Sequence, residues 1–234
     1  MQFEELKFYT TSEHPCSYIE GQQAKTVFLD PDARVDTEGY VYLSDLGFRR
    51  SGKHLYRPHC ESCQACISIR VPSKTFKARQ SQKRCWRRNQ DLQVSWEHPE
   101  LTDEIYFLYA RYIEARHWDG DMYPPSPQQF HGFLVEGREE TRFLCFRDGQ
   151  GVLLAVAVVD VLPQGLSAVY TFYDPDSNRG LGVFAILWQL EYARQQTLPF
   201  VYLGYWVKSC KKMSYKLDYR PVQLLLNGQW LQCN

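Results

Sequence analysis

The chain has 234 residues with 27 Lys/Arg and 27 Asp/Glu, so it is formally neutral, and it carries eight cysteines. That length supports one sizeable core or two small ones. The charge is uneven: residues 1–90 carry 15 basic and 10 acidic side chains, and residues 91–234 carry 12 and 17. A +5 half thus faces a −5 half, and the expectation is two parts: 1–90, a small cysteine-containing N-terminal lobe with a basic segment, and 91–234, a second domain.

No run of 18 apolar residues occurs, and the start, MQFEELKFYTTSEHP, has neither a basic n-region nor an apolar h-region. A cytoplasmic protein without membrane contact is expected, with cysteines serving as thiols, metal ligands or core residues instead of disulfides.

Along the chain, the first 90 residues are rich in Gly, Pro and polar residues, which suggests short strands and loops. A helical turn is expected over Leu43–Leu46, followed by Gly47, a strand entering the cysteine loop, and a second strand with alternating residues in ISIRVPSKTF. Ile105, Leu108, Tyr109, Tyr112 and Ile113 recur at helical spacing behind Thr102, a suitable N-cap. SPQQFHGFLVEG predicts a second, shorter helix with Ser126 near its start. TRFLCFR, GVLLAVAVVDVL and LSAVYTFYD are three apolar, β-branched and aromatic runs divided by DGQG and PQG, the pattern of an antiparallel meander. Val183, Ile186, Leu187 and Leu190 then mark a long helix, and FVYLGYW a strand. The order gives an α+β fold, with helices on a mostly antiparallel sheet. N-acetyltransferases share this order and bind their acyl donor where the strand before the long helix meets that helix. Order alone does not assign a function.

Three features carry chemistry. Cys60, Cys63 and Cys66 are spaced C-x2-C-x2-C, and with Cys16 as the best fourth ligand they suit zinc or an iron–sulfur cluster; reduced thiols in a small core are the plainer reading. His59 and His14 are further candidates, whereas Cys85, Cys145, Cys210 and Cys233 stand alone and are expected to pack. From Ile67 to Gln90 there are eight Lys or Arg and no acid. Such a run, with Phe76 and Trp86 interleaved, suits RNA phosphates and bases, and a solvated face is the alternative. Lys83, Arg84, Arg87 and Arg88 are the contacts expected there, with Lys211, Lys212 and Lys216 from KSCKKMSYK as a second basic element. The turn before the long helix places Gly180 and Gly182 where free backbone N–H groups meet a bound anion or carbonyl. Gln22 and Gln23 in GQQA are polar groups able to contact a substrate or cap a helix. No Ser/His/Asp order, HExxH pair or GxxxxGK[ST] loop occurs, which disfavours a hydrolase or a nucleotide-driven enzyme.

The blocks CSYIEGQQA, LSDLGFRRSGKHLYRPHCESCQACISIRV, ARQSQKRCWRRN, AVAVVDVLPQGLSAVYTFYDP, NRGLGVFAILWQLEYAR and YLGYWVKSCKKMSYKLDYRP together resemble the arginyl-tRNA–protein transferase family of the N-degron pathway, in its bacterial aspartate/glutamate leucyltransferase branch. The resemblance spans nearly the whole chain. It implies an N-acetyltransferase-like aminoacyl-transfer domain over 91–234. It also implies transfer of leucine from leucyl-tRNA to proteins that begin with Asp or Glu, without nucleotide consumption, the product passing to N-degron proteolysis. Roles in orienting the substrates and stabilising the oxyanion are expected around Tyr170, Tyr173, Asp174, Arg179 and Tyr205, with Asp174 as amine partner or base. The acidic side chain calls for a cationic reader, for which Arg57, Arg70 and Arg79 are candidates. Eukaryotic relatives bind a metal or cluster through motifs matched by Cys16, Cys60, Cys63 and Cys66. They carry a second cysteine shortly after the first, and here SYIEG follows Cys16 instead. Competing expectations are arginyl transfer, a non-catalytic zinc-containing RNA-binding module, and a small-molecule N-acetyltransferase.

Overall fold

A computed structural model describes residues 6–234. Its framework is an eight-stranded sheet in the order β14-β13-β7-β12-β11-β10-β9-β8. Three of these strands form the expected meander, β9 (Thr141–Arg147), β10 (Leu153–Leu162) and β11 (Gly165–Tyr173), and a fourth that the sequence pattern does not announce, β8 (Gln93–Glu97), pairs antiparallel with β9. β10 is almost continuously apolar because both of its faces are covered. Ala155, Ala157 and Val159 join the core beneath α5 (Leu181–Gln195), while Val156 and Val158 join the core beneath α3 (Asp103–Arg116).

Helix α3 starts as its sequence predicts, with the Thr102 hydroxyl accepting the Ile105 N–H at 3.3 Å. Its apolar face meets Phe130, Phe143 and Phe172, the Tyr109 and Phe130 rings standing edge to face at 5.0 Å. Phe130 ends α4 (Pro127–Phe130), a short helix capped by Ser126 that continues as a π-helical turn over His131–Val135.

The N-terminal lobe is built on a separate four-stranded sheet in the order β1-β4-β6-β5, comprising β1 (Phe8–Thr10), β4 (Thr26–Leu29), β6 (His54–Pro58) and β5 (Arg49–Ser51). A two-stranded hairpin, β2 (His14–Pro15) with β3 (Gln23–Ala24), lies beside it. The helical turn expected at Leu43–Leu46 is a nine-residue helix, α1 (Thr37–Asp45), because Asp36 caps it by accepting the Gly39 N–H at 2.8 Å. Tyr40 and Leu43 bury its inner face.

Strand β7 (Ile67–Pro72) departs from the expected alternation: Ser68 to Pro72 are all buried. It lies in the middle of the large sheet, antiparallel to both β12 (Phe200–Trp206) and β13 (Val222–Leu226), with Arg70 opposite Tyr202 on one side and Gln223 on the other. A division at residue 90 therefore cuts through this sheet. The basic run that follows is a helix, α2 (Gln80–Arg88), whose Trp86 ring packs 5.4 Å from that of Phe184 on α5. A 3-10 helix over Lys211–Asp218 precedes β13, and β14 (Gln229–Cys233) closes the sheet. Among the described residues, no helix is long and apolar enough to cross a membrane.

Candidate active site

The site begins with a break in strand pairing. β11 and β12 run parallel, yet their register covers only Gly165 to Ser167 opposite Phe200 to Tyr202. Beyond it β12 continues alongside β7, with a shift between Tyr202 and Tyr205 where Gly204 adopts φ +76°. The two strands thus diverge. Beyond Ser167, β11 stays paired with β10 on one edge but has no strand partner on its β12 edge, where the backbone groups not used by β10 face the resulting gap.

A cleft of about 1320 Å³ opens there, with Val169 and Tyr205 from the diverging strands and Phe133 from the π-helical turn on one wall. The opposite wall comes from the N-terminal lobe and includes Gln22, Gln23, Tyr56 and Arg57. Cys16, Cys60, Cys63 and Cys66 line the same cleft, so the hairpin and the C-x2-C-x2-C loop meet. Burial, reinforced by the other three cysteines, pushes the Cys66 thiol up to about 12. In kind and number these donors fit a soft metal or cluster. Among the described residues, however, no three His, Cys, Asp or Glu side chains stand close enough to hold an ion.

The five residues expected at the chemistry separate. Tyr205 lines the cleft, and its phenol donates to the Gly47 carbonyl at 2.7 Å. Tyr170 lies behind Phe133, ring centroids 5.5 Å apart, with its hydroxyl buried and unpartnered; burial raises its pKa. The Tyr173 ring packs tilted against that of Tyr112, centroids 4.9 Å apart. Asp174 pairs with Arg111 at 3.0 Å. Arg179 pairs with Asp91 and donates to the Asn89 side chain at 3.0 Å. Tyr173, Asp174 and Arg179 are absent from the cleft lining.

Arg179 borders a second, smaller groove of about 310 Å³ between α2 and α5. Arg84 and Arg88 of α2 line it beside Gly180, whose φ of +73° precedes the first turn of α5. The helix N-terminus and four guanidinium groups thus border one hollow, Arg79 being paired there with Asp218, a net positive setting suited to phosphate. Lys83 and Arg87 lie on α2, exposed and away from this lining. Gly182 leaves room for Tyr173: an added Cβ would stand 3.1 Å from the Tyr173 ring. On the 3-10 helix Lys211 is exposed, Lys212 pairs with Asp119 at 3.4 Å, and Lys216 turns inward to donate to the Tyr205 carbonyl at 2.6 Å. Desolvation, then the nearby Arg49, lowers the Lys216 ammonium to about 8.

Two of the proposed cationic readers are engaged elsewhere. Arg70 pairs with Asp45 at 2.9 Å, donates to Gln223 and lies 3.6 Å from the Phe200 ring centroid. Arg79 pairs with Asp218. Arg57 donates to the Leu46 carbonyl at 3.1 Å and lies over the Phe48 ring. Sequence reasoning passed over Arg49, Arg50 and Tyr56. Two successive arginines on one short strand are themselves a signal, since alternation must turn one of them inward.

An α+β fold whose parallel strands part beside a long helix, with helices on both faces of a mostly antiparallel sheet, is the N-acetyltransferase-like arrangement expected from the order of elements, here with a cysteine-bearing lobe lining the cleft. The chain belongs to the arginine-tRNA–protein transferase family: the family's N-terminal model matches residues 14–84 and its C-terminal model residues 104–226. Proteins named aspartate/glutamate leucyltransferase are similar over almost the full length. That of Teredinibacter turnerae is 58% identical, covering 97% of this chain and 94% of the relative. That of Hahella chejuensis is 52% identical over 97% of each, and that of Stutzerimonas stutzeri 57% identical over 97% and 96%. Among solved structures, L-PGS from Bacillus licheniformis superimposes with a TM-score of 0.47 at 11% identity, covering 72% of this chain and 50% of that one.

Proposed function

We propose that this chain is an aspartate/glutamate leucyltransferase, which moves leucine from leucyl-tRNA to the N-terminus of proteins beginning with Asp or Glu. The observation that carries this reading is the similarity along 97% of the chain to proteins so named.

The acceptor α-amine, with an ordinary pKa of roughly 7.7 to 8.0, is substantially neutral near pH 7.5 and attacks the ester carbonyl without a strong base. The C–N bond forms, the amine proton is released, and the ester C–O bond breaks as the ribose oxygen takes a proton. The protein's task is orientation and charge stabilisation. In this reading the leucyl group enters the gap between β11 and β12, where unpaired β11 N–H groups meet the developing oxyanion. Tyr205 borders the reacting centre, and Gln22 and Gln23 on the facing hairpin hold the acceptor peptide. The groove bordered by Arg84, Arg88, Arg179 and Gly180 holds tRNA phosphates, with Lys83, Arg87, Lys211 and Lys212 extending that surface. Asp174, already paired with Arg111, serves better to anchor the turn before α5 than as a base.

A zinc ion or cluster held by Cys16, Cys60, Cys63 and Cys66 would supply a cross-link between the β2–β3 hairpin and the cysteine loop. Metal analysis of anaerobically purified protein tests it. We place the reaction in the cytoplasm, where charged tRNA is made, with the leucylated product passing to N-degron proteolysis.

The test supplies purified protein with radiolabelled Leu-tRNA or Arg-tRNA and acceptors beginning with Asp, Glu or Ala. Leucine incorporation into only the Asp and Glu acceptors is expected. Arginine incorporation would move the assignment to the sister reaction, and tRNA binding without transfer would favour an RNA-binding module.

A further inference from the structure

The first acceptor residue must be recognised by its carboxylate, and close to the cleft the structure buries an arginine that has no counter-ion and has two donors without partners. Arg49, on β5, is 7% exposed, yet it takes part in no ion pair among the described residues. Its Nη1 donates to the carbonyls of Phe48 at 2.7 Å and Ser44 at 3.2 Å, while Nε and Nη2 are buried with no partner. Those two nitrogens form the side-on fork of a guanidinium, the edge that matches both oxygens of a carboxylate.

The neighbouring residue shows the same fork filled. Arg50 donates from Nε to Asp160 Oδ2 at 2.7 Å and from Nη2 to Oδ1 at 2.8 Å. Two adjacent arginines on one strand are thus equally buried, one satisfied by a carboxylate of the fold and one with the equivalent donors empty. A buried charge is normally paired, and an unpaired one persists against its desolvation cost.

The empty fork lies just behind the cleft wall, outside the lining itself. The Arg49 guanidinium carbon is 5.8 Å from the Tyr205 ring centroid and 5.5 Å from that of Tyr202. Tyr205 and Tyr56 both line the cleft with rings 6.2 Å apart, and burial raises both phenols while Arg49 opposes that rise. Among the cations of the cleft lining, Arg50 is paired with Asp160 and Lys25 with Glu61, while Arg57, less buried than Arg49, has no ion pair among the described residues and donates to the Leu46 carbonyl.

We propose that Arg49 is the specificity-determining reader of the acceptor, its Nε–Nη2 fork pairing with the side-chain carboxylate of an N-terminal Asp or Glu as the Tyr205–Tyr56 wall turns aside. The proposal rests on the leucyltransferase reading for its acceptor chemistry. A carboxylate satisfies both donors, whereas Asn or Gln offers one oxygen and sets an NH2 group against the other N–H. Charge and hydrogen bonding therefore reject the amides together.

The test measures binding as well as transfer, using the full chain and peptides that differ only in beginning with Asp, Asn or Ala. In calorimetry the unmodified protein should bind the Asp peptide on the order of 100-fold more tightly than the Asn peptide. Arg49→Gln should reduce that ratio to a few-fold while leaving the affinities for the Asn and Ala peptides and for Leu-tRNA unchanged. Arg49→Lys, which keeps the charge but not the fork, covers the case in which the Gln variant does not fold, and its Asp/Asn ratio should also fall. Either folded variant keeping the full ratio overturns the proposal. So does an equal loss for Asp, Asn and Ala peptides, which marks a structural role, and so does a lack of Asp preference in the unmodified protein. Absence of leucine transfer alongside Arg49-dependent binding of the Asp peptide would instead overturn the parent reading and leave Arg49 as an acid reader.

Discussion

Replacing Asp160 by Ala should cost about 3–5 kcal/mol, the loss expected when one partner of a buried ion pair is removed. Asp160, 0% exposed, accepts four hydrogen bonds from three elements. Two come from Arg50 on β5, one from the Tyr40 hydroxyl on α1 at 2.6 Å, and one from the Thr141 hydroxyl on β9 at 2.8 Å. Removing the carboxylate leaves a guanidinium, a phenol and a hydroxyl without it inside the molecule. Because Asp160 belongs to the large sheet and Arg50 and Tyr40 to the N-terminal lobe, the loss falls on the junction that shapes the cleft. A domain of this kind has a total stability of roughly 5–15 kcal/mol, so the variant should unfold at a much lower urea midpoint. The assay is urea unfolding of the unmodified chain, Asp160→Ala, and the double variant Arg50→Met/Asp160→Leu, followed by tryptophan fluorescence. The double variant should recover most of the loss, since no unpaired charge remains. A loss below about 1 kcal/mol in Asp160→Ala would show that water or rearrangement supports Arg50 and would refute the argument.

Lys216→Met should remove a specific pH dependence. Because folding lowers this ammonium from 10.5 to about 8, the unfolded chain binds more protons between those values. The group's contribution to stability therefore rises with pH, by roughly 2 kcal/mol from pH 7 to 9.5. The difference in denaturant midpoint between the unmodified chain and the variant should shrink or invert over that range, and a constant difference refutes the reading. Gly165→Ala should destabilise the start of β11 by more than about 2 kcal/mol, because the added Cβ would meet the Phe200 carbonyl oxygen at 2.2 Å, a backbone atom that cannot step aside. A calorimetric melting temperature within a degree of the unmodified protein would contradict it. Arg84→Glu combined with Arg88→Glu should weaken tRNA binding at least ~10-fold and flatten its salt dependence, as fewer counterions are released. Unchanged filter-binding slopes would place the tRNA elsewhere. Thr102→Ala should cost about 1 kcal/mol through loss of the α3 cap, read from the urea midpoint.

The elements legible in the sequence are those whose pattern is local. Helix α3 announces itself through Ile105, Leu108, Tyr109, Tyr112 and Ile113 with Thr102 before them, and the meander through three apolar runs and their turns. Helix α2 escapes this reading because QSQKRCWRR is polar around most of its circumference, and only contacts with α5 bury Trp86 and Cys85. The last hairpin does carry a local signal, the pair Asn227–Gly228 with φ +50° and +76°, between VQLLL and QWLQC. β7 is different in kind: its partners lie more than 120 residues further along, so no window reveals that Ser68 and Arg70 are buried on a central strand. For the site, clustered cysteines are visible as letters, and they do line the cleft. Reactive-looking residues near the long helix are visible too, yet Asp174 and Arg179 prove to be held by Arg111 and Asp91. Whether an arginine is free or paired depends on carboxylates distant in sequence, and this is why Arg49 and Arg50 are indistinguishable as text.

The central place of β7 has a consequence for how the protein is made. A ribosome delivers Ile67–Pro72 long before it delivers Phe200–Trp206 and Val222–Leu226, the strands that flank it. Until β12 has left the exit tunnel that strand has two open edges, and until β13 follows it has one, each able to attract another unpaired strand. The large sheet is therefore completed only once β12 and β13 have emerged, well after β7 itself. A chain interrupted before β12 would leave both edges of β7 open, so the strand that is central in the finished sheet is the one most exposed to mispairing on the way to it.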